Sequence, residues 1–267
     1  MKMPKLGFGT FRLEGDVAFQ SALQALTLGY RHIDTAQIYG NEAEVGKAWK
    51  ASGVSRDEVF ITTKVWNDNL APEKLAPSVQ ESLEKLQTDR VDLLLVHWPA
   101  APDGVSMDAY LSALYAVKEA GLTQHIGVSN FTVPLLKQAM EILPQGALYT
   151  NQVEIHPLLQ NNTLRAFCEA NHIMLTSYMP FAVGLALRHP DILALAEKKH
   201  CTPAQVVIAW HLQSGFHTIP SSTKKENMAA NLQATSVKLS ADEMRVIDAL
   251  DANERQAAPD FSPKWDV

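Results

Sequence analysis

A short apolar or β-branched run followed by a helical pattern recurs about eight times along the chain, and this alternation limits the possible folds more than any other feature. Several runs are apolar almost throughout, which is typical of parallel strands buried on both faces. Eight strand–helix units of roughly 33 residues each predict an α/β protein with the (β/α)8 architecture of a TIM barrel. The predicted strands are residues 5–9, 31–35, 59–64, 91–98, 125–130, 148–154, 173–178 and 216–221.

Helical patterns occupy the gaps between these strands. The gap between the seventh and eighth strands is the longest and predicts an extra helix over roughly residues 190–199. A doubly wound sheet is the main alternative, but GFG at residues 7–9 is followed by TFR, so the GxGxxG motif is absent. Because no low-complexity stretch or long linker divides the sequence, we expect residues 1–267 to form a single barrel domain, with a short polar C-terminal tail from about residue 251.

Charge and apolar patterning exclude several classes of function. Lys and Arg number 23 against 29 Asp and Glu, and the net charge of −6 argues against a general nucleic-acid binder. No run approaches the roughly 18 apolar residues of a membrane span, and the N-terminus lacks the apolar core of a signal peptide. Cys168 and Cys201 supply neither a disulfide framework nor a CxxC pair. We expect a cytoplasmic monomer that acts on a small molecule, without nucleic-acid or membrane partners.

Polar side chains concentrate at the C-terminal ends of the predicted strands, which is the face on which barrel enzymes place their active sites. The opposite ends carry no comparable set. Because parallel strands end at the same face, these side chains are expected to converge on one site. The candidates are Asp34, Tyr39, Lys64, His97, Ser129, Asn130, Gln152, Tyr178 and the segment from Ser221 to Lys225.

Lys64 and Asp34 are the sharpest pair among these candidates. A lysine at the end of a buried strand loses hydration and requires a counter-charge or a lowered pKa, and Asp34 can provide the counter-charge. A cation beside Tyr39 would favour its phenolate and lower its pKa from about 10, so that this tyrosine can donate a proton near neutral pH. The alternative is a plain salt bridge at the barrel rim beside a packing tyrosine.

His97 and three aromatic residues admit two interpretations each. His97 is either a core histidine satisfied by backbone groups or a hydrogen-bonding group over the barrel mouth. Trp66 and Trp98 form either rim packing or an apolar pocket wall, and Tyr178 is either core filler or a surface on which a heteroaromatic ring stacks. The other histidines are scattered and no HExxH motif occurs, so we expect no catalytic metal.

A phosphate site is predicted after the eighth strand. The segment from Ser221 to Thr223 precedes a predicted helix that runs to about Asn231, with Lys224 and Lys225 in its first turn. Free N–H groups at a helix N-terminus suit phosphate, and phosphate sites after strands seven and eight recur in barrels. The alternative is a capped surface helix with two solvated lysines.

Six segments, taken in order, resemble the aldo-keto reductases. They are GYRHIDTAQIYGNEAEVG (29–46), ITTKVW (61–66), LLLVHWP (93–99), IGVSNF (126–131), NQVEIHP (151–157) and IPSSTKKENMAANL (219–232). Within the family, the chain is most similar to the compact bacterial 2,5-diketo-D-gluconate reductases, closest to the B type. The resemblance implies a (β/α)8 barrel that reduces aldehydes and ketones with NADPH, without metal or flavin.

The resemblance also implies roles for individual residues. Tyr39 would be the general acid, and Lys64, held by Asp34, would lower its pKa. His97 would orient the carbonyl group of the substrate. The other implied contacts are the nicotinamide carboxamide for Ser129, Asn130 and Gln152, the nicotinamide ring for Tyr178, the cofactor for Thr10, and the substrate for Trp66 and Trp98.

The sequence departs from the family pattern around the adenosine and its 2′-phosphate. Many relatives have a basic residue at Ser221, an arginine at Asn227 and a glutamate at Ala230, whereas only Ser222 and Asn231 match. The two adjacent lysines would then have to supply the positive charge. NADPH is the expected cofactor, with NADH as the alternative.

Short connections after strands four and seven, together with the short tail, predict an open pocket that suits small polar carbonyls. The resemblance implies 2,5-diketo-D-gluconate as a substrate, and the open pocket predicts reduction of small α-dicarbonyls similar to methylglyoxal as well. Two other functions remain open. Some aldo-keto-like barrels are non-enzymatic regulatory subunits, and a barrel lyase would use Lys64 as a Schiff base. The four intact catalytic positions favour the reductase.

Overall fold

The computed structural model describes residues 1–101 and 103–266. Within these ranges, eight strands form one sheet in which spatial order follows sequence order and every neighbouring pair is parallel. The strands are β1 (Phe8–Gly9), β2 (His32–Asp34), β3 (Phe60–Val65), β4 (Val91–Val96), β5 (Thr123–Ser129), β6 (Leu148–Glu154), β7 (Met174–Tyr178) and β8 (His217–Thr218).

The two ends of the sheet meet and close it into a barrel. Leu6 forms a parallel bridge with Thr218, and the Gly7 N–H donates to the Thr218 carbonyl at 2.9 Å. The Thr218 N–H in turn donates to the Lys5 carbonyl at 2.8 Å. The predicted (β/α)8 barrel is therefore confirmed, although β1, β2 and β8 are shorter than the runs predicted from sequence, because the chain around β1 and β8 pairs through isolated bonds rather than a full ladder.

Helices follow the strands and cover the barrel. The helices are α1 (Gly15–Leu28), α2 (Glu42–Ser52), α3 (Pro72–Leu86), α4 (Met107–Glu119), α5 (Val133–Ile142), α6 (Asn162–Ala170), α7 (Pro190–Lys198), α8 (Pro203–Gln213), α9 (Lys225–Gln233) and α10 (Ala241–Asp248). Helix α7 confirms the extra helix predicted between the seventh and eighth strands. The placement of Lys224 in the first turn of α9 is wrong, because its backbone is extended (φ −102°, ψ 124°) and the helix begins at Lys225.

The N-terminal end of the barrel interior is filled by apolar side chains. Met3, Phe60, Leu93 and Leu95 form one buried cluster there, and Tyr149 packs against it. Along β3, residues 60, 62 and 64 alternate with residues that face the surrounding helices. Lys64, four residues beyond Phe60 on the same strand, lies nearer the C-terminal ends of the strands.

A glycine sets the register of the two strands that carry most of the amide groups. The pairing of β5 with β6 shifts between Ile126 and Val128. A Cβ atom at Gly127 would lie 2.5 Å from the carbonyl oxygen of Thr150, so only glycine permits this close approach. Beyond the shift, Ser129 pairs directly with Gln152, which brings two predicted site residues together.

Candidate active site

The C-terminal ends of the strands open into a cavity of about 790 Å³. This volume lies within the usual range of small-molecule sites. The structure brings ten of the residues predicted from sequence to the wall of this one cavity. They are Asp34, Tyr39, Trp66, His97, Trp98, Ser129, Asn130, Gln152, Tyr178 and Ser221.

Lys64 lies beneath the cavity floor as a buried cation. Its ammonium group donates to the Asp34 carboxylate, to the Thr35 carbonyl at 2.8 Å and to the Tyr39 hydroxyl at 3.4 Å. Burial lowers the pKa of Lys64, but the neighbouring Asp34 and Tyr39 together raise it by more than burial lowers it. The pKa of Lys64 therefore lies above its usual value. The second oxygen of Asp34 accepts a hydrogen bond from the Gln152 amide at 2.7 Å. Lys64 is therefore a charged group fixed in one orientation.

Tyr39 ends a short 3₁₀ turn, Gln37–Tyr39, and is half-buried in the cavity wall. Burial raises the pKa of its phenol above 10, and the opposing effect of Lys64 is smaller. The prediction of a lowered pKa is therefore wrong for this structure: the cation acts in the expected direction, but desolvation outweighs it. The phenol stays protonated at neutral pH and is available as a proton donor.

Gln37 fixes the turn that carries Tyr39, and this role was not predicted from sequence. Its side-chain oxygen accepts from the Trp66 N–H at 2.9 Å, and its amide nitrogen donates to the hydroxyls of Ser78 and Ser82 at 3.1 and 3.2 Å. The turn is thereby tied both to the end of β3 and to helix α3. A polar residue two positions before the candidate acid was the available signal.

His97 stands between two aromatic rings at the end of β4. Its ring centre lies 5.6 Å from that of Tyr39 and 5.3 Å from that of Trp66, both edge to face. Burial, together with the charge of Lys64, holds its pKa well below 6.5. The imidazole is therefore neutral, and its buried Nδ1 atom has no hydrogen-bond partner among the described residues.

Ser129, Asn130, Gln152 and Tyr178 form a connected polar cluster on the cavity wall. The Asn130 amide donates to the His97 carbonyl at 2.9 Å and its oxygen accepts from the Tyr178 hydroxyl at 2.8 Å. The Ser129 hydroxyl donates to the Gln152 carbonyl at 2.7 Å. These bonds hold the amide groups and the tyrosine ring in fixed positions at the wall.

The remaining predicted cofactor residues lie away from the cavity wall. Thr10 is fully buried and its hydroxyl donates to the Asp34 carbonyl at 3.0 Å. Asn231 is buried within α9. On the solvent side, Ser222 is half-buried and Thr223, Lys224 and Lys225 are exposed. Of the five residues from Ser221 to Lys225, only Ser221 lines the cavity.

Two further segments contribute cavity walls that the sequence did not indicate. One is the loop after β7, where residues 179–187 supply Met179, Phe181 and Leu187. The other is the C-terminal tail, where residues 256–259 line the cavity. Beyond them, the Phe261 ring packs edge to face against both predicted tryptophans, with ring centres 6.0 Å from Trp66 and 5.5 Å from Trp98. Aromatic residues in an otherwise polar tail were the available signal.

The described residues were also searched for metal and membrane features. No group of three or more His, Cys, Asp or Glu side chains within 1–101 and 103–266 is placed to hold a metal ion. In the same part of the chain, no helix has both the length and the apolar character needed to cross a bilayer.

Comparison with known proteins identifies one family over nearly the whole chain. The model of the aldo/keto reductase family matches residues 5–252. Methylglyoxal reductase DkgB of Yersinia pestis is 51% identical over 267 residues, and the protein of that name from Escherichia coli O157:H7 is 49% identical, with full coverage of both chains in each case. A crystal structure assigned provisionally as a 2,5-diketo-D-gluconic acid reductase B superimposes with a TM-score of 0.95 at 40% identity, covering 99% of this chain and 94% of that one.

Proposed function

The chain belongs to the aldo/keto reductase family and is an oxidoreductase, and on this premise we propose that it reduces small polar aldehydes and ketones with NADPH, with Tyr39 as the proton donor. The observation that carries the proposal is the arrangement around Lys64. One buried ammonium group binds Asp34 and contacts the hydroxyl of Tyr39, which faces the cavity. The family relationship supports carbonyl reduction, and the contacts of Lys64 support Tyr39 as the proton donor.

Tyr39 is the proton donor in this proposal. Its phenol is protonated at neutral pH, so it can transfer a proton to a carbonyl oxygen as negative charge develops there. The resulting phenolate would lie 3.4 Å from the Lys64 ammonium, which stabilises it. Asp34 keeps Lys64 charged and oriented. Neutral His97 is positioned to hydrogen-bond the same carbonyl oxygen and hold it against Tyr39.

The cavity fits a nicotinamide cofactor. The fixed amide groups of Asn130 and Gln152 and the hydroxyl of Ser129 offer hydrogen-bonding partners for a carboxamide, and the Tyr178 ring at the same wall offers a stacking surface. When bound, the nicotinamide supplies the hydride for the carbonyl carbon. No side chain caps the N-terminus of α9 in the described structure, and Lys225 opens that helix, which suits a phosphate group.

The proposed preference for NADPH over NADH rests on two exposed lysines at the start of α9. Lys224 and Lys225 are solvated cations, close in sequence to Ser221 on the cavity wall. They would pair with the 2′-phosphate that distinguishes the two cofactors. NADH remains the alternative donor.

The proposed substrates are small α-dicarbonyls and sugar-derived ketones. Relatives that match the full chain carry the name methylglyoxal reductase, and one structural neighbour is assigned as a 2,5-diketo-D-gluconic acid reductase. Phe261 packs against both Trp66 and Trp98 and covers one side of this aromatic wall, which limits how far a large ligand can extend along it. Methylglyoxal and 2,5-diketo-D-gluconate fit such a site better than a bulky apolar ketone.

The Schiff-base lyase finds no support in the geometry. The three hydrogens of the Lys64 ammonium face three acceptors, Asp34, Thr35 and Tyr39, and the raised pKa keeps the lone pair protonated. A nucleophilic lysine needs the opposite, a lowered pKa. The family relationship also favours an enzyme over a non-enzymatic regulatory subunit.

The test is a panel of carbonyl compounds assayed with NADPH and with NADH. We expect turnover of methylglyoxal, 2,5-diketo-D-gluconate and activated aldehydes, with almost none of steroid ketones, and faster reaction with NADPH. Absence of reduction with both cofactors would contradict the proposed function. A preference for steroids by kcat/KM would overturn the substrate assignment and leave carbonyl reduction intact.

A further inference from the structure

The carboxylate of Glu154, at the end of β6, is fully buried beside the cavity and holds part of the C-terminal tail. It accepts backbone hydrogen bonds from the N–H groups of Gln256 and Ala257, both at 2.8 Å. The His156 Nε2 atom lies 2.9 Å from the same carboxylate, and because a carboxylate only accepts, this ring nitrogen carries the hydrogen. Of the three donors to this buried group among the described residues, two therefore come from the tail.

The residues that Glu154 holds are the ones that line the cavity. Gln256, Ala257, Ala258 and Pro259 all form part of its wall. Glu154 itself is absent from the wall, and it lies two residues beyond Gln152 on the same strand. The carboxylate thus acts on the cavity through the tail. The tail segment also follows residue 252, where the match to the family model ends.

Other contacts anchor the tail on either side of these residues but do not replace Glu154. Before them, the Arg255 guanidinium stacks 3.6 Å from the Trp265 ring centre and donates to the Asn161 side chain at 3.0 Å. After them, the Asp266 carboxylate accepts the Val133 N–H at 2.9 Å. Between these points, the backbone of residues 256 and 257 is held by Glu154.

The coupling between Glu154 and the tail follows from the cost of burying a charge. A carboxylate shielded from water is stable only when donors surround it. If the tail left, the two N–H donors would leave with it, and His156 would be the donor that remains. Loss of the tail would therefore leave the buried carboxylate short of two hydrogen-bond donors.

We propose that Glu154 is a positioning residue for the carbonyl substrate, which holds residues 256–259 as a wall of the cavity and thereby sets KM without touching the reacting atoms. The effect on KM rests on the proposed function. The anchoring itself does not, because it can be measured without turnover.

The first experiment measures amide hydrogen exchange in Glu154→Gln and in the unmodified protein. The substitution preserves shape but replaces one carboxylate oxygen by an NH2 group, which cannot accept from the tail N–H that faces it, Gln256 or Ala257. We expect exchange in the peptide containing residues 256 and 257 to become at least roughly tenfold faster, the scale of one charge-assisted hydrogen bond. Unchanged exchange would overturn the proposal.

Asp251→Asn is the matched control for loss of a carboxylate in the tail. Asp251 accepts from the Gln160 N–H at 3.2 Å and the Asn162 amide at 2.9 Å, away from the cavity lining. We expect this variant to keep both the exchange protection at residues 256 and 257 and the KM of the unmodified protein. The same loss in both variants would overturn the specific role of Glu154.

Steady-state kinetics provide the second readout. We expect Glu154→Gln to raise KM for methylglyoxal several-fold, while kcat and the dissociation constant for NADPH stay within about twofold. The reason is that the four proposed catalytic residues, Asp34, Tyr39, Lys64 and His97, are unchanged. Glu154→Asp keeps the charge and should recover part of both the protection and the KM. A fall in kcat with unchanged KM would overturn the proposal.

Ala257→Pro is a second variant for use if Glu154→Gln fails to fold. It breaks the contact with Glu154 by changing the tail instead of the carboxylate. It removes the N–H that donates to Glu154 and leaves the barrel interior unchanged. The same rise in KM is expected, and an unchanged KM would overturn the proposal. If the unmodified protein reduces no carbonyl compound, the proposed function fails, while hydrogen exchange still decides whether Glu154 holds the tail.

Discussion

The ammonium nitrogen of Lys64, which is paired with Asp34, lies 3.4 Å from the phenolic oxygen of Tyr39. At this distance the hydrogen bond to the neutral phenol is weak, because N–H···O bonds are strongest near 2.9 Å. A phenolate at the same place would attract the cation much more strongly. In the proposed reaction, Lys64 would therefore contribute most after Tyr39 has released its proton, which distinguishes its role from that of the acid itself.

Replacing Tyr39 by phenylalanine removes the proposed proton donor and keeps the ring. We expect reduction to fall by about 10²–10⁴-fold, the usual contribution of a positioned proton donor. NADPH binding, followed by fluorescence titration, should change little. Turnover near that of the unmodified protein would show that another group is the acid.

The pH profile of reduction should be flat across the neutral range. The proposed reaction needs Tyr39 protonated and His97 neutral. Burial raises the pKa of Tyr39 above 10, so its proton is lost only in strongly alkaline solution, and burial with Lys64 lowers the pKa of His97 well below 6.5, so the ring gains a proton only in acid. We expect kcat/KM to stay constant between about pH 6 and 9. A titration midpoint inside this window that persists for several substrates would contradict both assignments.

Asp34→Asn should destabilise the fold strongly. It leaves the buried Lys64 ammonium without its counter-charge, and breaking a buried ion pair from one side typically costs about 3–5 kcal/mol. Urea unfolding at neutral pH measures the loss. Asp57→Asn is the control, since this exposed acid pairs with Arg90 at the surface and should cost less than about 1 kcal/mol. Equal losses in the two variants would mean that the Lys64 pair is not a stabilising contact.

Changing both Lys224 and Lys225 to alanine tests the selectivity for NADPH. If they bind the 2′-phosphate, each charge-assisted contact is worth roughly 1.5–3 kcal/mol, so the affinity for NADPH should fall by at least about tenfold. The affinity for NADH should change little, and added salt should narrow the difference between the cofactors. An equal loss for both cofactors would show that the two lysines are an ordinary solvated surface.

The fold and the position of the candidate site could be predicted because both depend on local patterns. Apolar runs identify strands, and parallel strands in a barrel end at one face, so polar residues such as Asp34 and Gln152 had to meet there. The structure confirms the barrel, and the comparisons confirm the family resemblance. The roles of the individual site residues stay predictions until the variants above are measured.

Other features could not be predicted because they depend on how distant segments pack. The pKa of Tyr39 follows from its burial as well as from Lys64, and burial is a tertiary property. The tail was predicted as a short polar extension, but Glu154 and the two tryptophans give it a fixed place on the barrel. Spacing along the chain carries no information on which distant groups a tail will meet.

The bridge between Leu6 and Thr218 has a consequence for how the chain is made. On the ribosome, the first strand emerges early, but its partner on one side is among the last parts of the sheet to be synthesised. Until then the nascent sheet exposes an unpaired edge, which is a site of wrongful association between chains. The ring can therefore close only after β8 has been synthesised, and a product that terminates before residue 217 would expose two open edges and be a substrate for chaperones and proteases.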